Sequence, residues 1–539
     1  MTSLPVLADP ASSFHSWVRR GPDRDGAEYD RRVSTLLTEP DGASTARAAV
    51  PDSVVRRLDD RLPDDGWRSW IFPLFVTLIA GLLRITNLSH PPGKIFDEVY
   101  YAKDANDLLH HGVELNEGGT AGGYVAHPPL GKWCIALGEW LFGNNEFGWR
   151  IAAVVAGTLS VLIVARLGRR LFRSTLLGCV AALLLTIEGL HFVSSRVALL
   201  DIFLMLFVLA SFACLVIDRD RRRQQVLVAM RAGHDLSLRL PRRGLAQVPW
   251  WRFAAAAMAG AAVGIKWSAV WYVLLFTVLS VGWEIGVRRT AGVQRPVVGA
   301  LLFESGWTAA FIGTVLLVYL GTWSGWLLSD NGWGRHAADA AGWHLGPLNS
   351  LVSLFKYHQN VLHFHEGLDT PHDYQSTPWS WLLLGRPVAY YYSGDVTCSA
   401  SACSSEVIAL GNPPLWWSFI PAIGVGIWRW LAHRDWRAGA LVLAAGASIV
   451  PWMFFPNRTM FIFYVLPAVP FLILLVAYTL GLVLGPSDAE AERKTIGVSV
   501  VAAYVVIMAI SFAYFYPIYS ATVLSYDSWH ARMWFNRWI

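Results

Sequence analysis

Residues 197–217 read VALLDIFLMLFVLASFACLVI, twenty-one residues carrying one charge, Asp201, near the start. At ~1.5 Å per residue such a run crosses the ~30 Å hydrocarbon core of a bilayer as a helix. Comparable runs lie on either side of it, at 67–86, 148–165, 174–190, 252–265, 268–286, 299–323, 415–432, 438–455, 460–482 and 496–517, so about eleven spans are expected. Hydrophobic residues make up 54% of the 539, charged residues only 15%, tryptophans number 27 and the mean hydropathy is +0.39. That is too apolar for ordinary soluble domains. The expected fold class is an all-α polytopic membrane protein.

Charge between the spans sets the topology, because cytoplasmic connections collect Arg and Lys. The connections holding Arg166, Arg169, Arg170 and Arg173, then Arg219 to Arg252, then Arg288, Arg289 and Arg295 are basic, as are Arg429, Arg434 and Arg437 and, more weakly, Arg493 and Lys494. With eleven spans and a cytoplasmic N-terminus, all of these fall inside the plasma membrane. Two long loops, 87–147 and 324–414, and the tail 520–539 then fall outside. The net charge of +5 reads as topology and contact with anionic lipids, not as nucleic-acid binding.

Residues 1–66 are polar and mixed in sign, with no apolar stretch of signal-peptide type, and read as a disordered cytoplasmic extension ahead of a membrane domain at 67–519. Five of the six lysines, Lys94, Lys103, Lys132, Lys266 and Lys356, lie in outer loops or at an outer boundary, against the positive-inside bias. Either snorkelling or contact with an anionic group such as a lipid phosphate accounts for them. Cys398 and Cys403 lie five residues apart in the second outer loop, where a disulfide is permitted and would close a small loop. Two thiols without two further suitably spaced ligands make zinc the poorer reading, and His363-x-His365-Glu366 is not a His-Glu-x-x-His helix pattern, so no metal is assigned. Neither a phosphate loop nor a dinucleotide fingerprint occurs. Group transfer outside therefore needs a donor that crosses or lives in the membrane.

Chemistry is sought in the first outer loop, where Ile95-Phe96-Asp97-Glu98-Val99-Tyr100 places two carboxylates at the water boundary and His127-Pro128-Pro129-Leu130-Gly131-Lys132 follows. A bland reading has Asp97 or Glu98 capping a short helix and Pro128-Pro129 starting another, with Lys132 on its surface. Arg150, just inside a span, is a functional candidate by position, and an ion pair with Asp97 or Glu98 explains it equally well. Arg196 and Asp201 could pair with each other. A secondary transporter would place such groups near the midplane of repeated halves; here the acidic pair is in a loop and has no second copy.

Phe96-Asp97-Glu98-Val99-Tyr100, the His127–Lys132 run, Arg196-Val-Ala-Leu-Leu-Asp201 and Gly264-Ile265-Lys266-Trp267 occur in that order. His372-x-Tyr374-x-Ser376-x-Pro378-Trp379-Ser380-Trp381 and Arg458-x-x-Phe461-x-x-Tyr464-x-Leu466-Pro467 follow. Together these resemble the protein O-mannosyltransferases in their actinobacterial form, over about Trp67 to Tyr519. The resemblance implies a glycosyltransferase of the C superfamily that moves mannose from polyprenyl-phosphate mannose to Ser or Thr hydroxyls of exported proteins. The implied partners are the lipid-linked donor, secreted acceptors, membrane lipids and the export machinery. A transferase with a glycolipid acceptor is the alternative. Eukaryotic relatives carry a soluble MIR domain in the later large loop, which 324–414 cannot hold, and an Asp where this chain has Val125.

On that resemblance Asp97 is the general base and Glu98 its orienting partner or an acceptor-binding group. One base and some cations suffice, since lipid phosphate is already a reasonable leaving group. His127, Lys132, Arg150, Lys266 and Arg458 are the candidates for holding the donor phosphate. Trp379 and Trp381 suit acceptor stacking or an interfacial aromatic belt.

Overall fold

The computed structural model describes residues 50–539 apart from 60, 238–239, 241–247 and 487. Helix α1 is Asp52–Leu58, α2 Arg68–Ile85, α3 Glu98–His111, α4 Leu130–Phe142, α5 Glu146–Phe172, α6 Thr175–Thr186, α7 Gly189–Ser194 and α8 Leu200–Arg231. Next come α9 Trp250–Val263, α10 Val270–Thr290, α11 Pro296–Phe303, α12 Ser305–Thr322 and α13 Asn349–Glu366. The hairpin β1 Val388–Ser393 and β2 Cys403–Ala409 precedes α14 Pro413–His433, α15 Trp436–Ile449, α16 Val469–Leu484 and α17 Ala491–Tyr519. Strand β3 Leu524–Ser525 and α18 Tyr526–His530 form the tail.

Among the described residues, eight helices are long and apolar enough to cross a membrane. The other three expected segments are also helical, as α6, α9 and α14. Two depart from expectation because a buried carboxylate interrupts them. The segment 174–190 ends early: Glu188 leaves the helix and caps α7, accepting from Leu190 N at 3.0 Å and His191 N at 2.6 Å. The segment 299–323 breaks at Glu304, which meets Arg252 at 3.1 Å and Arg288 at 3.4 Å. A charge inside a bundle must be paired, and here the helix yields so that it is.

The basic connections gather at one end. Arg170 pairs with Asp220 at 2.9 Å, Arg252 with Asp218 at 3.0 Å and Arg222 with Glu284 at 3.1 Å. Helix α1 belongs to this end: Leu58 is buried in a small core with Val226, Leu227 and Val287. Residues 50–59 and 61–66 are therefore part of the folded body, whereas 1–49 of the expected disordered extension lie outside the described residues. The two long loops meet at the other end. Tyr357 of α13 both donates to the carbonyl of Val125 and accepts from its N–H, each at 3.0 Å. Around that bond Val113, Leu115, Trp323, Trp326 and Leu354 form a core shared by both loops. Any side chain at Gly122 would strike the Asn331 carbonyl, so glycine lets the two backbones touch.

The tail is also folded back. Strand β3 adds to β2, with Cys403 opposite Ser525, and the three-stranded order is β1-β2-β3. A disulfide joins Cys398 and Cys403, closing the turn between β1 and β2.

Candidate active site

Phe96 has φ +49°, and this turn sends the adjacent carboxylates to different surroundings. Its ring stacks on Tyr390 of β1 at 4.7 Å and meets Phe463 edge-on at 5.9 Å. Asp97 stands at the head of α3, yet its side chain makes no capping bond. Glu98 is fully buried and turns inward. It accepts from Ile95 N and Ala198 N, both at 3.0 Å, and grips Arg150 through Nε and Nη2, both at 2.8 Å. Arg150 spends its remaining donors on the carbonyls of Leu88, Pro91 and Gly93. A buried pair whose lone pairs and protons are all used is a structural clamp. Glu98 and Arg150 are thus placed to hold the loop, and neither reaches an open surface.

Asp97 lies within reach of the charges of the Lys266–Asp201 pair, and the nearby Tyr101 hydroxyl favours its charged form. Burial pushes its carboxyl up to about 6, with Lys266 opposing and Asp201 reinforcing. Lys266 Nζ lies 2.7 Å from Asp201 Oδ2 and sits over the rings of Tyr464 at 5.7 Å and Phe463 at 5.8 Å. On sequence, Asp201 and Arg196 could pair with each other. Instead Asp201 takes Lys266 from the break between α9 and α10, and Arg196 donates to the carbonyls of Arg84, Thr86 and Asn87 at the end of α2.

Asp201 and Lys266 open onto a cleft of about 590 Å³. His127, His365 and Arg458 line it on one side, and Trp267, Trp271, Trp452, Phe454 and Phe455 give it an apolar wall. Phe454 is 75% exposed, so this wall runs out to the molecular surface. Burial, with Lys266 and His365 nearby, holds His127 well below the usual histidine range. Burial and then Arg458 bring His365 down to about 4. Both imidazoles are neutral at pH 7; that of His365 is already met by Arg458 Nη2 at Nδ1, 3.3 Å away, and by the Ala126 backbone, so His127 is the one left to meet a sugar hydroxyl. Arg458 donates to the His365 carbonyl and lies 5.6 Å from the Trp452 ring.

Lys132 is not in the cleft. It is 1% exposed and bonded to Glu114, with Asp104 at 3.5 Å. Against the cost of burial, these two acids raise its pKa. Trp381 is fully buried and donates to Ser376 Oγ at 2.9 Å, whereas Trp379 is open to solvent at 59%. His363, His365 and Glu366 do not converge: among the described residues no three His, Cys, Asp or Glu side chains could hold a metal. Sequence reasoning noted Asp201 and Tyr464 only as motif positions, giving neither a part in the site, and passed over Tyr101 and the Trp452–Phe455 wall. A lone carboxylate in the first turn of a span should have prompted a search for a lysine at a neighbouring helix break.

The family described as dolichyl-phosphate-mannose-protein mannosyltransferase matches residues 126–234, and the C-terminal four-span region of protein O-mannosyltransferase matches 350–538. The polyprenol-phosphate-mannose–protein mannosyltransferase of Mycolicibacterium smegmatis is 37% identical over 94% of this chain and 100% of its own. The chain belongs to this family of glycosyltransferases. The Mycobacterium tuberculosis member is 37% identical over 88% of this chain and 93% of its own. The fold is that of the solved Saccharomyces cerevisiae Pmt1-Pmt2 protein O-mannosyltransferase complex, with a TM-score of 0.69 at 14% identity over 93% of this chain and 97% of that one.

Proposed function

We propose that this chain transfers mannose from polyprenyl-phosphate mannose to Ser or Thr hydroxyls of exported proteins at the outer face of the membrane, with Asp97 as general base. The observation that carries the reading is the raised Asp97 carboxyl within reach of the charges of Lys266 and Asp201, a pair that itself lines a cleft with polar side chains and an apolar wall reaching the surface. A base with a pKa of about 6 is ionised at neutral pH yet stronger than an ordinary carboxylate.

The acceptor oxygen attacks the anomeric carbon as its proton passes to Asp97, and the bond from that carbon to the phosphate oxygen breaks. Polyprenyl phosphate leaves carrying the electron pair. Lys266 and Arg458 face the developing charge, His127 meets a sugar hydroxyl, His365 positions Arg458, and the apolar wall takes the first isoprene units.

The test incubates purified protein with polyprenyl-phosphate mannose and a Thr-rich peptide. Asp97→Asn should lose at least ~100-fold in turnover while keeping donor affinity; near-normal turnover in that variant would remove Asp97 from the role. Glu98→Gln should act through the loop, lowering stability together with activity.

A further inference from the structure

A second groove, of about 450 Å³, lies between residues 383–385 and the tail segment 534–538, apart from the catalytic cleft. Its inner wall is Trp538, 1% exposed, which donates from Nε1 to the Leu384 carbonyl at 2.8 Å and stacks with Trp534 at 6.3 Å.

The level of the groove follows from its neighbours. The Trp534 ring lies 6.2 Å from Trp417 in the first turns of α14, and 6.2 Å from Tyr514 and 4.8 Å from Phe515 near the end of α17. At ~1.5 Å per residue these partners sit roughly 6–8 Å in from the span ends, in the zone where Trp and Tyr gather at a bilayer surface. Trp534 and Phe535 are nonetheless 43% and 49% exposed. Rings left open at that depth face lipid.

The water-side edge is cationic. Arg537 lines the groove and is exposed. Arg532 lies over Tyr514 at 4.8 Å and donates to its carbonyl at 2.8 Å, and Arg386 donates to the Ile539 carbonyl at 2.7 Å. Three arginines stand on the cleft side of the molecule, away from the end where the other basic connections gather. A sugar would need several neutral hydrogen-bonding side chains, and the lining offers Asn536 and the indole of Trp534. An anion with an apolar chain matches it better, and the volume is in the usual ~300–1,000 Å³ range for a ligand pocket.

We propose that this groove binds an anionic phospholipid of the cleft-side leaflet, one acyl chain lying on Trp534, Phe535 and Trp538 and the headgroup phosphate meeting Arg537. The site ties the tail to the bilayer and is independent of the transfer reaction.

Native mass spectrometry of the full-length protein, delipidated and titrated with phosphatidylglycerol or phosphatidylcholine, tests it. The protein should retain one phosphatidylglycerol under conditions that strip phosphatidylcholine. Arg537→Gln, a change at an exposed position, should weaken phosphatidylglycerol on the order of tenfold and leave phosphatidylcholine unchanged; Trp534→Ala should weaken both. Equal retention of the two lipids, unchanged binding in Arg537→Gln, or preferential capture of polyprenyl phosphate overturns the assignment.

Discussion

At the scale of single residues, burial decides which charged groups are free to do chemistry. As the proposed base Asp97 would act as a carboxylate, the form present above its pKa, and burial pushes that pKa up to about 6. The rate should therefore fall about tenfold per pH unit below 6. A pH profile of kcat/KM with its acid limb near 4 instead would contradict the assignment. Lys132 and Arg458 give the paired prediction. Lys132→Gln leaves Glu114 and Asp104 buried without their cation and should cost on the order of 3 kcal/mol in stability, with the donor requirement of the surviving protein unchanged. Arg458→Gln should raise the half-saturating donor concentration on the order of tenfold, with little loss of thermal stability. The acidic pair was legible in the sequence because two carboxylates in an apolar chain stand out. The difference between Asp97 and Glu98 was not, since it depends on a positive φ at Phe96 and on an arginine 52 residues away. Lys132 looked like a ligand for phosphate because its partners are hidden in sequence: Asp104 on α3 and Glu114 in the loop beyond it reach Lys132 only when α3 packs on α4.

At the scale of elements, the segment from the end of α2 to the head of α3 is held by arginines from elsewhere. Arg196 caps the α2 terminus, with Nη1 2.7 Å from the Thr86 carbonyl and Nη2 3.1 Å from that of Asn87. Two residues on, the Ala198 N–H holds Glu98, and Asp201 holds Lys266. One short stretch thus sets the spacing between Asp97 and the Lys266–Asp201 pair. Arg196→Gln should lower kcat about 100-fold with little change in KM, and the acid limb should move, because the charges that tune Asp97 will have shifted; a variant that only melts earlier, with the limb in place, would make Arg196 merely structural. In the sheet, Glu406 is buried, accepts from Trp529 Nε1 at 2.6 Å and is pushed up to about 7 by burial. A folded-state pKa above the unfolded value of ~4.3 means stability falls as pH rises from about 4 to about 7. Glu406→Gln should match the wild type at pH 4 and melt higher at pH 8, by up to ~3 kcal/mol of stability. Spans were the readable elements, since twenty apolar residues in a row admit few alternatives. The hairpin, α13 and the folded tail were not anticipated: their partners are remote in sequence, and β3 pairs with β2 more than a hundred residues earlier.

At the scale of the molecule, the basic connections cluster at one end and the cleft lies at the other, the arrangement expected of spans that alternate in direction. Cysteines introduced at Asn116 and Ser399 should react with an impermeant thiol reagent from outside intact cells, and one at Gln224 should not. Reaction at Gln224 would invert the proposed orientation. The order of assembly follows from the bond between Tyr357 and Val125, which are 232 residues apart. At a synthesis rate of ~5–20 residues per second, the first loop emerges tens of seconds before the partner that completes its core. Tyr390, on which Phe96 of the same loop stacks, follows later still, and Arg458 and Tyr464 complete the cleft lining last. Catalytic competence is consequently a late event in biogenesis, and a chain stalled before α13 would be inserted, anchored and inert.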